Sequence, residues 1–263
     1  MSLFFSSAFG SFEIAAQGAS LRSLELAGHQ LLHDFQDSAD AWAAGSLMFP
    51  FPVRMSTGTV LEFEGEQYHW PINDTQHKAS LHGFTTDRKF LLEHVSNGVK
   101  ATLKYDGSLM HYPFPCELQV NYCLEGPKHF SMEFIVENLG KRPLPYHVGW
   151  HPYFRLGEQS ILEPSPTYRL LKNQFSHPTS KNTVEGFNWS EEVDGAFYMD
   201  ALIVKTPEYS AHIEPLCGIT QIYRPKGASF IALEPITGLG HPDFPWKTLA
   251  AGEVQRFKSS IRL

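Results

Sequence analysis

An all-β fold, a large antiparallel β-sandwich, follows from three features of this 263-residue chain. Apolar and polar residues alternate with period two over several segments, as they do in strands with one buried face. Turn chemistry separates those segments: Asp106-Gly107, Glu125-Gly126-Pro127 and the run from Asn138 to Gly140. No long amphipathic helical pattern occurs. The strand signals show no composition shift, internal repeat or linker, so residues 1–263 read as a single domain.

In chain order, residues 12–16 and 21–26 form short strands around Gly18, and residues 34–40 are a polar loop. Pro50 and Pro52 exclude helix from residues 48–55. Residues 58–70 alternate around Gly65 as a hairpin does, and residues 81–84 fall in irregular chain. The clearest strands are 99–105, 118–124 and 130–136. In the first, Val99, Ala101, Leu103 and Tyr105 alternate with Lys100, Thr102 and Lys104. Residues 163–190, rich in Pro, Asn, Ser and Thr, read as long connections. Strands resume at 201–205, 218–224 and 229–234, and residues 257–263 close the chain. The continuously apolar run Phe230 to Leu233 predicts a strand buried on both faces with Glu234 at its end.

Composition narrows the function. A net charge of −7 argues against nucleic acid, which rewards basic stripes, and gives no reason to expect an anionic membrane. Aromatic residues reach 13%, which favours strands and suits an aromatic-lined ligand site. The three cysteines, Cys116, Cys123 and Cys217, form no Cys-x-x-Cys pair and read as free thiols in a reducing compartment. The first positive residue is Arg22, so no signal peptide is expected, and no apolar run approaches a membrane span. A cytoplasmic protein is the expectation.

Residues 147–154 read His-Val-Gly-Trp-His-Pro-Tyr-Phe. So much imidazole and aromatic surface together predicts a strand that ends at the wall of a pocket. Five polar residues stand in unusually apolar or proline-rich surroundings: Arg54, His82, His151, Asp200 and Glu234. Glu234 is the strongest candidate, because a buried carboxylate must be paired or working. For the others the plain alternatives are a surface arginine beside a proline turn, a turn-capping histidine before Gly83 and a strand-opening aspartate. His147 and His151 also have the spacing of a metal pair, which keeps a cupin-like metal enzyme as a rival. Against it, Gly149 and Pro152 break the regularity and no third ligand has a motif, so neither metal nor other cofactor is expected.

Taken in order, these pieces resemble the aldose 1-epimerase (galactose mutarotase-like) superfamily. Leu81-His82-Gly83 matches its His-Gly motif. Val53-Arg54 matches its upstream arginine but lacks the usual asparagine before it. The run His151 to Leu156 matches its His-x-Tyr-Phe-x-Leu motif. Asp200 matches an aspartate opening a late strand, with Asp194 as a competing assignment. Leu233-Glu234-Pro235 matches a strand ending in Glu-Pro, and Leu249 to Glu253 matches a Leu-x-x-Gly-Glu sequence before the last strand.

The resemblance implies a β-supersandwich whose pocket interconverts the α and β anomers of a hexose or related sugar. In that reading Glu234 is the base and His151 the acid, while His82, Arg54 and Asp200 hold the sugar. An unperturbed glutamate, with a pKa of about 4.3, is ionised at neutral pH, and an unperturbed histidine at about 6.5 is roughly a quarter protonated at pH 7. A nearby carboxylate would raise that fraction. Trp150 and Phe84 are candidates for an apolar wall against the sugar, or for core. The expected partner is a small-molecule sugar, with no nucleic acid or membrane, and the chain a monomer or homodimer. Three alternatives remain: a non-catalytic carbohydrate-binding or regulatory protein on the same fold, a hexose-6-phosphate mutarotase using Arg54, Arg88, Lys89 and Arg224, and the metal-dependent enzyme.

Overall fold

Strict alternation in residues 99–136 becomes three consecutive antiparallel strands in the computed structural model: Gly98–Tyr105, Cys116–Gly126 and His129–Asn138. Their register sets Val120 opposite Ala101 and Phe134, and Tyr122 opposite Val99 and Met132. The alternating apolar positions therefore share one face, as a period of two requires, while Ile135 faces the other way opposite Gln119. The structure describes residues 1–263 except 36–41, 158, 164–167, 173–177, 184–191, 200–201 and 242–243.

Two large sheets carry the molecule. One runs in the order Ile161–Glu163, Leu202–Lys205, Ser210–Glu214, Val254–Arg262, His129–Asn138, Cys116–Gly126, Gly98–Tyr105 and Leu91–Val95. The other runs Pro178–Thr183, Tyr168–Lys172, Val193–Tyr198, Ile219–Arg224, Phe230–Ile236, Gly149–Trp150 and Leu47–Met48, with Tyr153–Arg155 also pairing on Phe230–Ile236. A four-stranded sheet of Ser2–Ser7, Gly10–Ala15, Ser20–Leu26 and His29–Gln30 joins them. One apolar core includes Phe12, Val120, Phe134, Ile231 and Leu233, so it links all three sheets. Every ladder between these strands is antiparallel. Among the described residues there is no α-helix, and no helix long and apolar enough to cross a membrane.

The hairpin around Gly65 forms as its alternation requires, from Val60–Phe63 and Glu66–His69. Glu64 and Gly65 turn it with φ of 50° and 80°, the two positive dihedrals that match a tight hairpin to strand twist. Phe230–Ile236 is a central strand, and Ile231 through Glu234 are all buried. Glu234 lies two residues inside that strand and not at its end. The reading of residues 163–190 as long connections is corrected: Ile161–Glu163, Tyr168–Lys172 and Pro178–Thr183 are strands. Ile161–Glu163 and Pro178–Thr183 are the end strands of the two large sheets, each with a single ladder neighbour, and Tyr168–Lys172 lies next to the second of them. The motif at 147–154 is not one strand. Pro152 separates Gly149–Trp150 from Tyr153–Arg155, and His151 stands at the break. All three cysteines are unpaired.

Candidate active site

On Phe230–Ile236, Ile231 and Leu233 face the core, so Ala232 and Glu234 face the other way. Their ladder partners share that face: Gln221 opposite Glu234, Tyr223 and Tyr153 opposite Ala232. On that side a cleft of about 400 Å³ is lined by Arg54, His82, His151, Asp194, Gln221 and Glu234, with Trp42, Tyr153 and Tyr223 as aromatic walls. Four of the five residues singled out from sequence therefore meet in one cleft. Asp200, the fifth, lies outside the described residues. Its competitor Asp194 sits in Val193–Tyr198 and lines the cleft.

The His-Gly motif is held by unusual backbone. Val53 and His82 both adopt left-handed φ, 50° and 62°. A β-branched residue there costs on the order of 1–3 kcal/mol, which the surrounding structure must offset. It is offset locally by a reciprocal pair of bonds. The Val53 amide donates to His82 Nδ1 (3.1 Å) and the His82 amide donates to the Val53 carbonyl (3.2 Å). Because Nδ1 accepts, the neutral ring carries its proton on Nε2. Gly83 is required next: with φ of 67°, a Cβ there would lie 2.1 Å from the Phe49 carbonyl oxygen. Burial, then the His151 ring and Arg54, push the His82 pKa well below its usual value.

His151 is fixed by two main-chain bonds to the neighbouring segment, its amide to the Ser46 carbonyl (3.0 Å) and its carbonyl from the Gly45 amide (2.7 Å). Its Nε2 lies 3.5 Å from Glu234 Oε1, with Glu234 2% and His151 5% exposed. The ring stacks on Tyr153 at 4.8 Å and meets His82 edge-on at 5.0 Å. Burial dominates its ionisation and pushes its pKa down to about 4, against a smaller raising effect from Asp194. The expectation of a protonated quarter at pH 7 is thereby corrected. Desolvation outweighs the raising effects of a backbone bond and of Asp194, so the neutral imidazole is the favoured form.

Arg54 is gripped from behind. Its Nε donates to Asp74 Oδ2 at 2.6 Å, and Asp74 also meets His77 Nδ1 at 2.8 Å. Arg54 Nη1 lies 3.7 Å from Asp194 Oδ2, and Gln221 Nε2 donates to Asp194 Oδ1 at 2.7 Å. Asp74 is held by a turn in which it exchanges backbone bonds with Ala79. Its bonds to Arg54 and His77 keep its carboxyl below the usual range even though burial, the largest single effect, acts the other way. Sequence reasoning missed Asp74, His77, Gln221, Trp42 and Tyr223. Tyr153 was within its reach, since it stands in the motif that flagged His151.

His147 belongs elsewhere. Its ring packs on Trp246 (5.3 Å) and Gly238, with Nδ1 3.5 Å from Thr237 Oγ1 and Nε2 3.4 Å from the Phe244 carbonyl. The metal-pair spacing of His147 and His151 thus leads to two separate places. Among the described residues no group of three His, Cys, Asp or Glu is arranged to hold a metal ion. Trp150 and Phe84 are core, Trp150 donating Nε1–H to the Gly45 carbonyl and Phe84 packing on Tyr105. Arg88, Lys89 and Arg224 do not line the cleft, and Arg224 donates to the Ala228 carbonyl.

A family model described as aldose 1-epimerase matches residues 5–198, a span that holds Arg54, His82, His151 and Asp194 but stops short of Glu234. The uncharacterized protein YihR of Escherichia coli K12 is 28% identical over 151 residues, 57% of this chain. The chain spans about half the length of that curated relative, 49%. Among solved structures, a galactose mutarotase-like protein from Clostridium acetobutylicum superposes with a TM-score of 0.85 at 16% identity, covering 99% of this chain and 94% of that one. The GalM/aldose epimerase homologue from C. elegans gives 0.84 at 15%, covering 100% and 98%. The galactose 1-epimerase from Lactobacillus acidophilus NCFM gives 0.80 at 15%, covering 100% and 98%. At such identities these three likenesses are of fold.

Proposed function

The chain belongs to the aldose 1-epimerase family, and from that premise we propose that it interconverts the α and β anomers of a free hexose or related aldose. The observation that carries the reading is the buried pair Glu234 and His151, carboxylate and imidazole 3.5 Å apart on the wall of a sugar-sized cleft. A binding module needs no such pair, because burying ionisable groups without chemical use is costly.

Ring opening removes the proton of the C1 hydroxyl, breaks the bond from C1 to the ring oxygen, and protonates that oxygen. Glu234 takes the first proton and His151 Nε2 supplies the second. Carboxylate with imidazolium becomes carboxylic acid with imidazole, so the pair carries one proton throughout. The C1 aldehyde then rotates, and closure on the other face runs both transfers backwards. No proton is lost and no covalent intermediate forms. The burial that makes the imidazolium scarce also makes it a strong acid when it forms. The one-proton pair is therefore the titrating unit, more than either residue alone.

Arg54, Asp194 and His82 bind sugar hydroxyls and hold C1 against the pair. Asp200 keeps its place as a proposed sugar ligand from the family resemblance alone. The cleft wall holds the carboxylates Glu192, Asp194 and Glu234 against one guanidinium already engaged by Asp74. That balance favours an uncharged sugar over a phosphorylated one.

The test is anomer exchange followed by NMR saturation transfer on free and 6-phosphorylated hexoses, with and without chelator. Catalysed exchange of free sugars that survives chelator supports the reading. Exchange of phosphorylated sugars alone would overturn the substrate class. Absence of exchange with any aldose would overturn the enzyme.

A further inference from the structure

The face that carries Glu234 does not end at the cleft. Two residues along its strand comes Ala232, and two further Phe230, about 7 Å and 13 Å from Glu234 at strand rise. Tyr153 lies opposite Ala232. Beyond Tyr153 the segment around Leu32 pairs through the bridge Leu32 to Phe154 and the bond from the His33 amide to the Tyr153 carbonyl (2.8 Å). His33 and Phe35 consequently share the face of Tyr153, Ala232 and Glu234. The rings close into one cluster, Phe35 to Tyr153 at 4.8 Å, Phe35 to Phe230 at 5.0 Å, His33 to Phe230 at 4.8 Å and His33 to Phe35 at 4.6 Å.

Beside this cluster opens a second cavity of about 480 Å³, lined by Tyr153, His33 and Phe35 together with Glu13, Arg22 and Asp34. Tyr153 lines both cavities, while its ring also stacks on His151. His33 and Phe35 are only half-buried, so the aromatic surface remains open to a ligand. Aromatic walls together with carboxylate and guanidinium groups suit a sugar, whose C–H faces pack on rings while its hydroxyls take charged partners.

We propose that this second cavity is a subsite for a further sugar ring, and that the protein's preferred substrates are reducing disaccharides or longer reducing oligosaccharides. The inference rests on the anomer-exchange reading of the first cleft. The reducing ring lies on Glu234 and His151 with its anomeric carbon free. The additional ring is joined through a non-anomeric hydroxyl and packs on Tyr153 and Phe35.

The experiment compares kcat/KM for anomer exchange of glucose with that of maltose, cellobiose, lactose and melibiose, whose reducing ring is glucose, and of galactose with that of β-1,4-galactobiose, by saturation transfer. At least one disaccharide is expected to exceed its reducing monosaccharide by about tenfold, the worth of one or two ring contacts. Phe35→Ala, and separately His33→Ala, should remove that advantage while the monosaccharide value stays within about twofold, since one or two lost ring contacts would account for the effect. Phe35→Leu provides the same reading if the alanine variant does not fold. The proposal is overturned if no disaccharide exceeds its monosaccharide, or if the variants lower both substrates equally. A wild-type protein inactive on every sugar would instead sink the reading of the first cleft.

Discussion

Acidification should destabilise the protein through buried histidines, and the size of the effect can be worked out. His147 and His151 are both pushed by burial from 6.5 to about 4. Their neutral forms are favoured in the folded state, so the unfolded chain binds protons first as pH falls. The stability linked to each is fully present above pH 6.5, declines below it, and is gone below pH 4. Between pH 7 and pH 5 each histidine should cost about 2 kcal/mol, close to 1 kcal/mol per pH unit, so the pair costs about 4 kcal/mol. His82 adds in the same direction. The depressed carboxyls, Asp74 among them, act only below the unfolded carboxylate range, which leaves this window to histidine. The assay is urea unfolding by tryptophan fluorescence from pH 7.5 to 5. His147→Asn and His151→Asn should each flatten the pH slope by about 1 kcal/mol per unit. Only the second should abolish anomer exchange, because His147 packs against Thr237 and Trp246 away from the cleft. A stability independent of pH between 7 and 5, or His147 and His151 ring NMR signals titrating near 6.5 in the native protein, would refute the reasoning. Equal loss of activity in both variants would return His147 to the site.

Glu234→Gln keeps the volume and removes the proposed base, so exchange should fall by about 10²-fold or more while sugar binding persists. A wild-type rate would remove Glu234 from its role. Asp74→Ala frees the back of Arg54, and because a charge-assisted bond is worth about 1.5–3 kcal/mol, KM should rise at least tenfold with kcat little changed. Arg54→Ala added to it should bring little further loss, and fully additive effects would show that Asp74 does not act through Arg54. Gly83→Ala should destabilise by more than about 2 kcal/mol, since the new Cβ meets the Phe49 carbonyl in a left-handed backbone. A thermal melt at the wild-type temperature would contradict that geometry.

Much of the architecture was legible because an antiparallel strand with one buried face writes its period into the sequence. Residues 99–136 and the hairpin around Gly65 show this directly. The outer strands between residues 161 and 183 were not legible. At the ends of a sheet, short strands need little apolar alternation to be held. The site was half legible. Glu234 and His151 announced themselves as polar groups in apolar runs, and His82 and Arg54 followed from motif and setting. Asp74, Gln221 and Tyr223 carry no such mark. A turn aspartate and a strand glutamine are ordinary until folding brings them to Arg54 and Asp194, positions 20 and 27 residues away in sequence.

The sequence by itself determined the all-β class, the family resemblance and the choice of Glu234 and His151 as polar groups in apolar surroundings, because these depend on local period and residue chemistry. Only the tertiary structure decided which histidine of a matched pair enters the cleft, since the chain breaks at Pro152 between the two short strands and spacing alone cannot say where each ring points. It also decided the charge of His151. Its pKa depends on the water that packing excludes, and that quantity exists only once distant segments have closed around the ring.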